Sequence, residues 1–374
     1  MNRCEEVITR SISPEDHATV RAITKRSFSV MVRGMVRFGP NDLVAILGGR
    51  VVGAVLLHVM ERPREGKIGR VALLVTDPEH RGRGIARQLV RQGVDRLHAL
   101  GCGQIVAEVE GYNTPSANIF HELGFRRLGS MAQIRWLGAV GAVVIGVRTF
   151  RLFTPGHFLW ARGVPGRPAS PEWQRAGTWA LNVFIALLAV LVGGGLLLAG
   201  GPEIPSLSAV LAVVVAVVLL LGLREAAMWA IGRAQGVTLE YRGWGSGVGA
   251  SLVIAILFGS VFPLPGGCYP PGDGWHYRQF QRQLAIAAAG ATGTVALLLV
   301  AAFGARLWGT TGFTADVARS LLDVGMALLL FDSIIAMGPF QGYSARRMLD
   351  HNRKLWLAFA IVGIAFYLLA VSTG

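Results

Sequence analysis

Apolar positions follow two regimes along the chain. Up to about residue 150 they come in short runs punctuated by turns; beyond residue 175 they merge into long uncharged stretches. Val7 to Ser11 reads as a strand, and Pro14 to Phe28 as a helix with Ser13 as its N-cap. Leu43 to Leu47 and Val51 to Met60 are apolar runs separated by Gly48-Gly49-Arg50, a hairpin signal. Leu73-Leu74-Val75 closes a further strand that Asp77-Pro78 turns, and Leu89, Val90, Val94 and Leu97 lay an apolar stripe along a helix stopped at Gly101. Gln104 to Val109 is a strand and Ser116 to Leu123 a short helix ended by Gly124. Trp136 to Val147 is apolar but, at about 12 residues, too short to cross a bilayer as a helix; it reads as a last strand running into an interfacial stretch.

The long runs are Gly177 to Ala199, Leu207 to Ile231, Val248 to Phe262, Leu284 to Phe303, Leu321 to Met337 and Leu355 to Val371. Several approach the roughly 20 residues that a spanning helix needs. Residues 176–374 therefore read as an α-helical polytopic membrane domain, residues 1–150 as an α/β domain, and 151–175 as a basic Pro/Gly/Arg-rich linker. In that linker Phe153, Phe158, Trp160 and Trp173 are expected to anchor at the membrane interface.

Charge sharpens the division. Residues 1–175 carry 25 Lys+Arg against 14 Asp+Glu, and the remaining 199 carry 11 against 8. A pI near 10.8 invites a nucleic-acid partner, but the basic residues are scattered and then recur at Arg148, Arg151, Arg162, Arg167 and Arg175 beside apolar spans, without aromatic interleaving. The lipid bilayer is the better partner, and no nucleic acid is expected. Cys4, Cys102 and Cys268 lie far apart with no CxxC pair, so no disulfide framework is indicated. Met1 to Arg10 has no apolar core, so no cleaved signal is read there, and the first domain is expected in the cytosol. Charge placement favours five full spans with Val248 to Phe262 re-entrant, and six spans is the alternative.

Between the strand ending at Val75 and the amphipathic helix lies Arg81-Gly82-Arg83-Gly84-Ile85-Ala86. Glycines there let the backbone approach a ligand, and the amides that open the helix present free donors at the positive end of a dipole, which suits a pyrophosphate. The spacing of Arg81, Gly84 and Ala86 resembles the acetyl-CoA loop of the GNAT superfamily of acetyltransferases. Asp77-Pro78-Glu79-His80 before the loop, and Asn113 at the family's distance before Gly124-Phe125, add to the match. The resemblance implies a mixed, mostly antiparallel sheet in the order β-α-β-β-β-α-β-α-β with flanking helices. It also implies acetyl-CoA as co-substrate, held by Leu74, Val75, Arg81, Gly82, Arg83, Gly84, Ile85, Ala86, Asn113 and Phe120, and an amine as acceptor.

Acetyl transfer needs a base for the amine and an acid for the departing thiolate. The family's acid Tyr aligns with Phe120, and its base Glu with Gly69. The remaining candidates are Glu108 and Glu110, alternating onto one face of their strand, and Tyr112 beside Asn113. A structural or solvated strand face is the plainer reading of the two glutamates. His80, His98 and His121 read as surface residues.

In the membrane half, Leu223-Arg224-Glu225-Ala226-Ala227-Met228, Ala289 to Thr294 and Gly338-Pro339-Phe340-Gln341-Gly342 are similar, in order and rough spacing, to the three motif regions of the site-2 protease family of intramembrane metalloproteases. That family's zinc needs HExxH, yet Arg224 and Met228 stand at the His positions and Gln341 at that of the third ligand, so no zinc and no protease activity are expected. Arg224, Glu225 and Asp332 are costly in a bilayer and are expected to pair inside the bundle, Arg224 with either acid. The chain reads as a membrane-anchored acetyltransferase, with an acetyl-CoA-binding sensor or scaffold for a membrane protein as the alternative.

Overall fold

The alternating runs of the N-terminal part become a sheet, and the long runs become helices. The computed structural model describes residues 6–28, 33–34, 36–62, 66–138, 141–142, 145–146, 156–164, 170–192, 205–261, 264–336, 340 and 342–372. The chain divides into two units. The first comprises Met1–Val109, Asn113–Leu128 and Leu159–Gly166; the second comprises Glu110–Tyr112, Gly129–Phe158 and Arg167–Gly374.

In chain order the elements of the sheet region are β1 (Ile8–Ser11), α1 (Asp16–Ser27), β2 (Leu43–Leu47), β3 (Arg50–Arg62), β4 (Gly66–Thr76), α2 (Ile85–Ala99), β5 (Cys102–Glu110), α3 (Thr114–Glu122), β6 (Arg126–Leu128), α4 (Ser130–Leu137) and β7 (His157–Arg162). The seven strands form one sheet in the order β1-β2-β3-β4-β5-β7-β6. Strands β1 to β4 are successive antiparallel neighbours, β4 and β5 run parallel, and β6 and β7 run antiparallel. The parallel step requires a crossover, and α2 supplies it.

Val20 and Ile23 of α1 pack with Val44, Ala54 and Val75 of the sheet into one buried cluster. Helix α2 buries Leu89, Val90, Val94 and Leu97, the stripe its sequence predicts, together with Ile85. Each such side chain contributes on the order of 1.5–3 kcal/mol when fully buried. The start of α1 differs from expectation: Glu15 is the N-cap, Ser13 accepts the Asp16 N–H only through its carbonyl at 3.0 Å, and its own N–H and hydroxyl donate to Asp16 Oδ2 at 2.8 and 2.9 Å. Arg10 grips the same carboxylate through both terminal nitrogens, 2.6 and 2.9 Å away, and holds the Asp16 carboxyl down at about 2.

The last strand is also elsewhere. Ser130–Leu137 is a helix, and the last strand of the sheet in chain order is β7, which inserts between β5 and β6 and lies inside the range read as a linker. Phe158 and Trp160 are therefore not interface anchors. They are 7% and 3% exposed because four successive residues of β7 are buried. Trp173 is exposed, while Phe153, Arg148, Arg151 and Arg167 lie outside the described residues.

The second unit contains α5 (Pro171–Val192), α6 (Leu207–Ala234), β8 (Glu240–Gly243), α7 (Gly245–Phe258), β9 (Gly266–Tyr269), α8 (Tyr277–Leu307), α9 (Phe313–Ser333), α10 (Ser344–His351) and α11 (Arg353–Ser372). Among the described residues four helices, α5, α6, α8 and α11, are long and apolar enough to cross a membrane. Helix α7 has 14 residues, about 21 Å at 1.5 Å per residue against a core of roughly 30 Å, and ends at Gly259 in the left-handed region. Helix α9 begins at Phe313, eight residues before the predicted run, and carries Asp316, Arg319, Asp323 and Asp332 along its 21 residues. Small residues pack helices closely: a Cβ on Gly290 of α8 would lie 2.0 Å from Ile231 Cδ1 of α6. On α11, Ile361, Leu368 and Val371 are each more than 60% exposed, a face suited to lipid.

Candidate active site

The candidate site starts with a turn. Asp77 caps the 3-10 turn Pro78–His80, accepting from the Glu79 N–H at 3.3 Å, and receives Arg26 Nη2 at 2.5 Å. The chain then passes through Gly82 (φ 78°) and Gly84 (φ 76°) into α2. Both glycines sit in the left-handed region, and a Cβ on either would meet nothing within 4 Å, so backbone conformation rather than space demands glycine here. Gly84 stands at the N-cap, and no side chain accepts from the first turn of α2. The loop residues from Arg81 to Gly84 are exposed. An uncapped, solvent-facing helix N-terminus leaves its first amides as donors for an anion.

Beside this loop the sheet opens. The β4–β5 ladder runs from Lys67↔Cys102 to Val71↔Ala107 and stops, although β4 continues to Thr76. At the same point β3 and β4 slip by one residue: Leu56 pairs with Leu73 and Leu57 with Val71, leaving Ala72 as the extra residue of a bulge. A bulge bends and twists its strand. The β4 edge from Ala72 to Thr76 thus leaves the β5 ladder.

The acid/base candidates separate. Glu108 pairs with Arg70 of β4 at 3.5 Å, both side chains largely buried, which makes it a cross-strand tie. Glu110 belongs to the second unit, where burial raises its carboxyl above the ordinary range while His157 and Arg346 act against that shift. Tyr112, also in the second unit, is buried; its Oη donates to Gly342 O at 3.0 Å and accepts from Arg347 Nε at 2.6 Å. Burial holds its phenol well above the usual tyrosine range, in the neutral form.

Phe120 is buried with its ring edge-on to Phe125, centroids 5.1 Å apart. Asn113 caps α3, its Oδ1 accepting from the Ser116 N–H at 3.3 Å. Val75 lies in the core cluster and Leu74 is half-buried. At Gly69 a Cβ would lie 2.9 Å from Leu97 Cδ1, so that position faces α2 and has no room for a carboxylate.

Residues 17–125 match the Acetyltransferase (GNAT) family model. The sheet and its flanking helices are the GNAT fold, with a helical region following. The chain is 36% identical over 63 residues to a mycothiol acetyltransferase of Catenulispora acidiphila, covering 17% of this chain and 20% of that one. It is 32% identical over 63 residues to an N-alpha-acetyltransferase 30 of Saccharomyces cerevisiae, covering 17% and 36%. The chain thus spans well under half the length of these relatives. A crystal structure of the NatC complex bound to Gag peptide and CoA aligns over 43% of this chain and 99% of that one at 15% identity and TM-score 0.31. The N-acetylglutamate synthase of Neisseria gonorrhoeae with coenzyme A and N-acetyl-glutamate aligns over 44% and 36% at 16% identity and TM-score 0.34. At those scores the structural likenesses carry no argument of their own.

In the second unit Arg224 of α6 is buried and gives Nε and Nη2 to the two oxygens of Asp332 of α9, at 2.6 and 2.9 Å, and Nη1 to Gly266 O at 3.0 Å. Asp332 Oδ1 also accepts the Ser344 N–H at 2.9 Å. Of the two acids open to Arg224 by sequence, Asp332 takes it, and Glu225 pairs with Arg175 at 3.2 Å. Met228 is buried, and Gln341 lies outside the described residues. Among the described residues no group of three His, Cys, Asp or Glu could hold a metal.

A cluster missed by sequence reasoning surrounds Tyr112: Arg347 lies over its ring and that of Tyr269, and the Tyr277 ring is tilted by 34° against that of Tyr112 with centroids 4.7 Å apart. These residues come from segments up to 235 positions apart. Arg346 and Arg347 look in sequence like ordinary charges beside a span, and no local spacing marks them.

Proposed function

We propose that this chain is a membrane-anchored, acetyl-CoA-dependent N-acetyltransferase of GNAT type acting on an amine. The observation that carries the reading is the Arg81 to Ala86 loop: two left-handed glycines deliver the chain to an uncapped helix N-terminus. The adjoining β4 edge, freed from β5 beyond Val71, is suited to pair with the extended arm of the cofactor. The amides of Ile85 and Ala86 would hold the pyrophosphate, with Arg81 and Arg83 adding charge. Leu74, Val75 and Asn113 complete the cofactor set.

The relatives' names support an amine acceptor, N-alpha amines among them. The acid/base candidates remain Glu108, Glu110 and Tyr112, of which Glu108 is tied to Arg70. In this reading the sheet-bearing part of the chain, which the sequence alone bounds at residues 1–150, faces the cytosol. The membrane half, 176–374, has a site-2-protease-like arrangement in which the Arg224–Asp332 pair takes the place of metal chemistry, and the bilayer is its partner.

A second reading, a sensor or scaffold that binds acetyl-CoA without turnover, is favoured by Phe120, which cannot donate a proton, and by the closed surroundings of Gly69. Calorimetric titration of the full chain in detergent with acetyl-CoA tests the cofactor claim, with saturable binding expected in the micromolar to millimolar range. Thiol release over a panel of amines that includes peptide α-amines separates the readings. Turnover supports the enzyme, and binding without turnover on any amine supports the sensor.

A further inference from the structure

Arg347 of α10 is 1% exposed, and its guanidinium is held from one side only. Nε donates to Tyr112 Oη at 2.6 Å, while the Cζ atom lies 4.9 Å from the centre of the Tyr269 ring and 5.4 Å from that of Tyr112. Nη1 and Nη2, both buried, have no hydrogen-bond partner among the described residues. The contrast with Arg224 in the same unit is direct, since each nitrogen of that guanidinium has an acceptor.

The acids nearby are committed elsewhere. Asp350 pairs with Arg346 at 2.7 Å and accepts from Tyr277 Oη at 3.1 Å, and burial favours the neutral form of Glu110. Nor does the surrounding chemistry supply an anion: Tyr112 is kept neutral by burial, and the buried Cys268 thiol is pushed up to about 12. Charge–ring contacts offset part of the cost of burying a cation, yet they leave the in-plane N–H donors unused. A buried guanidinium with two idle nitrogens calls for a planar or tetrahedral oxyanion that takes both. A Cβ on Gly267 would stand 3.2 Å from Nη2, so glycine at this position keeps a side chain off that nitrogen. Around it lie the buried Tyr112 and Tyr269, linked through ring contacts to the half-buried Tyr277 and Trp275, with ring centres 4.7 to 6.5 Å apart.

We propose that Arg347, framed by Tyr112, Tyr269 and Gly267 in the second unit, is the anchor of an oxyanion-binding site that takes a phosphate or carboxylate group in a bidentate grip. The site belongs to the second unit and does not depend on the acetyltransferase reading. Its ligand is either a free anion or the phosphate of a lipid headgroup.

The test uses the full chain, free of acetyl-CoA, in uncharged detergent and in phosphatidylcholine nanodiscs. Inorganic phosphate and acetate are the soluble probes, read by tyrosine and tryptophan fluorescence and by thermal unfolding. Phosphatidic acid doped into the nanodiscs, read by native mass spectrometry, is the lipid probe. At least one probe is expected to bind saturably and raise the unfolding temperature. Arg347→Met, which keeps the stem and removes the fork, is expected to abolish that response while folding as well as the parent or better, because a buried unpaired charge has been removed. Arg347→Lys is expected to weaken binding by at least about tenfold, as a point charge cannot make the bidentate grip.

Response to phosphate or acetate alone identifies a soluble ligand, and response to phosphatidic acid alone identifies a headgroup. Absence of saturable binding by the parent protein for all three probes overturns the proposal, whether or not the variants fold. A response that survives unchanged in Arg347→Met overturns it as well.

Discussion

At Ile85 the first unit opens a helix with no side-chain cap, while at Arg224 the second unit gives each nitrogen of a buried guanidinium an acceptor. Both are places where backbone or side-chain donors gather, and they differ in who satisfies them. The loop is exposed and water meets its amides until a ligand arrives, so openness costs little. Arg224 has no water to fall back on, and its donors have to be matched by Asp332 and Gly266 from within the fold. The difference teaches how to read donor clusters in this chain: an exposed unmatched set is ready for exchange with solvent, a buried matched set is architecture, and the buried unmatched set on Arg347 is the exception that asks for a ligand.

The sharpest way to break the comparison is at Asp332. Asp332→Ala leaves Arg224 buried without its carboxylate and is expected to cost about 3–5 kcal/mol, read as a lowered midpoint in denaturant unfolding of the detergent-solubilised chain. A shift below about 1 kcal/mol would show that α6 and α9 do not rely on the pair.

At Gly69, substitution by Glu puts a carboxylate at the position where the GNAT resemblance expects a base. The Cβ alone would stand 2.9 Å from Leu97 Cδ1, so overpacking is expected to cost about 1–3 kcal/mol and thiol release is not expected to rise. A variant that folds with parental stability and turns over amines faster would mean that this face of β4 is open to substrate.

Gly84→Val addresses the loop. Holding a β-branched residue at φ 76° costs roughly 1–2 kcal/mol, and relaxation of the turn would move the α2 amides away from the ligand. Acetyl-CoA affinity by calorimetry is expected to fall about tenfold, with Gly84→Asn intermediate because Asn tolerates the left-handed region. Equal affinity in the Val variant would remove the loop from the cofactor site.

The smallest effects are those of pH, and they have opposite signs. Asp16, held at about 2 against an ordinary 3.8 by Arg10, stabilises the first unit above its unfolded value; that contribution is lost as pH falls through about 2. Glu110 is raised by burial above its ordinary 4.5, so its contribution is full below that value and is lost as pH rises through the folded one. Thermal scans are expected to show a flattened acid limb in Arg10→Ala and a flattened limb above pH 4.5 in Glu110→Gln. A parent curve unchanged by Glu110→Gln would mean that this carboxyl is solvated.

Sequence by itself determined the α/β character of the N-terminal part, the order of its elements, the glycine loop and the location of the long apolar helices. These rest on local rules: an alternating run suits a strand, a 3.6-residue stripe suits a helix such as α2, and glycine at 82 and 84 follows from backbone conformation. It placed the last strand wrongly because β7 hides in a Pro/Gly/Arg-rich stretch, and an inserted strand with four successive buried residues has no alternation to betray it. Pairings were left to the tertiary structure. Glu108 with Arg70, Arg224 with Asp332 rather than Glu225, and Tyr112 with Arg347 join residues 38 to 235 positions apart, and burial and hydrogen-bond geometry choose among charges that look alike in sequence. A helix N-terminus is legible because its donors belong to consecutive residues; a buried cation's partners are not, because folding alone brings them together.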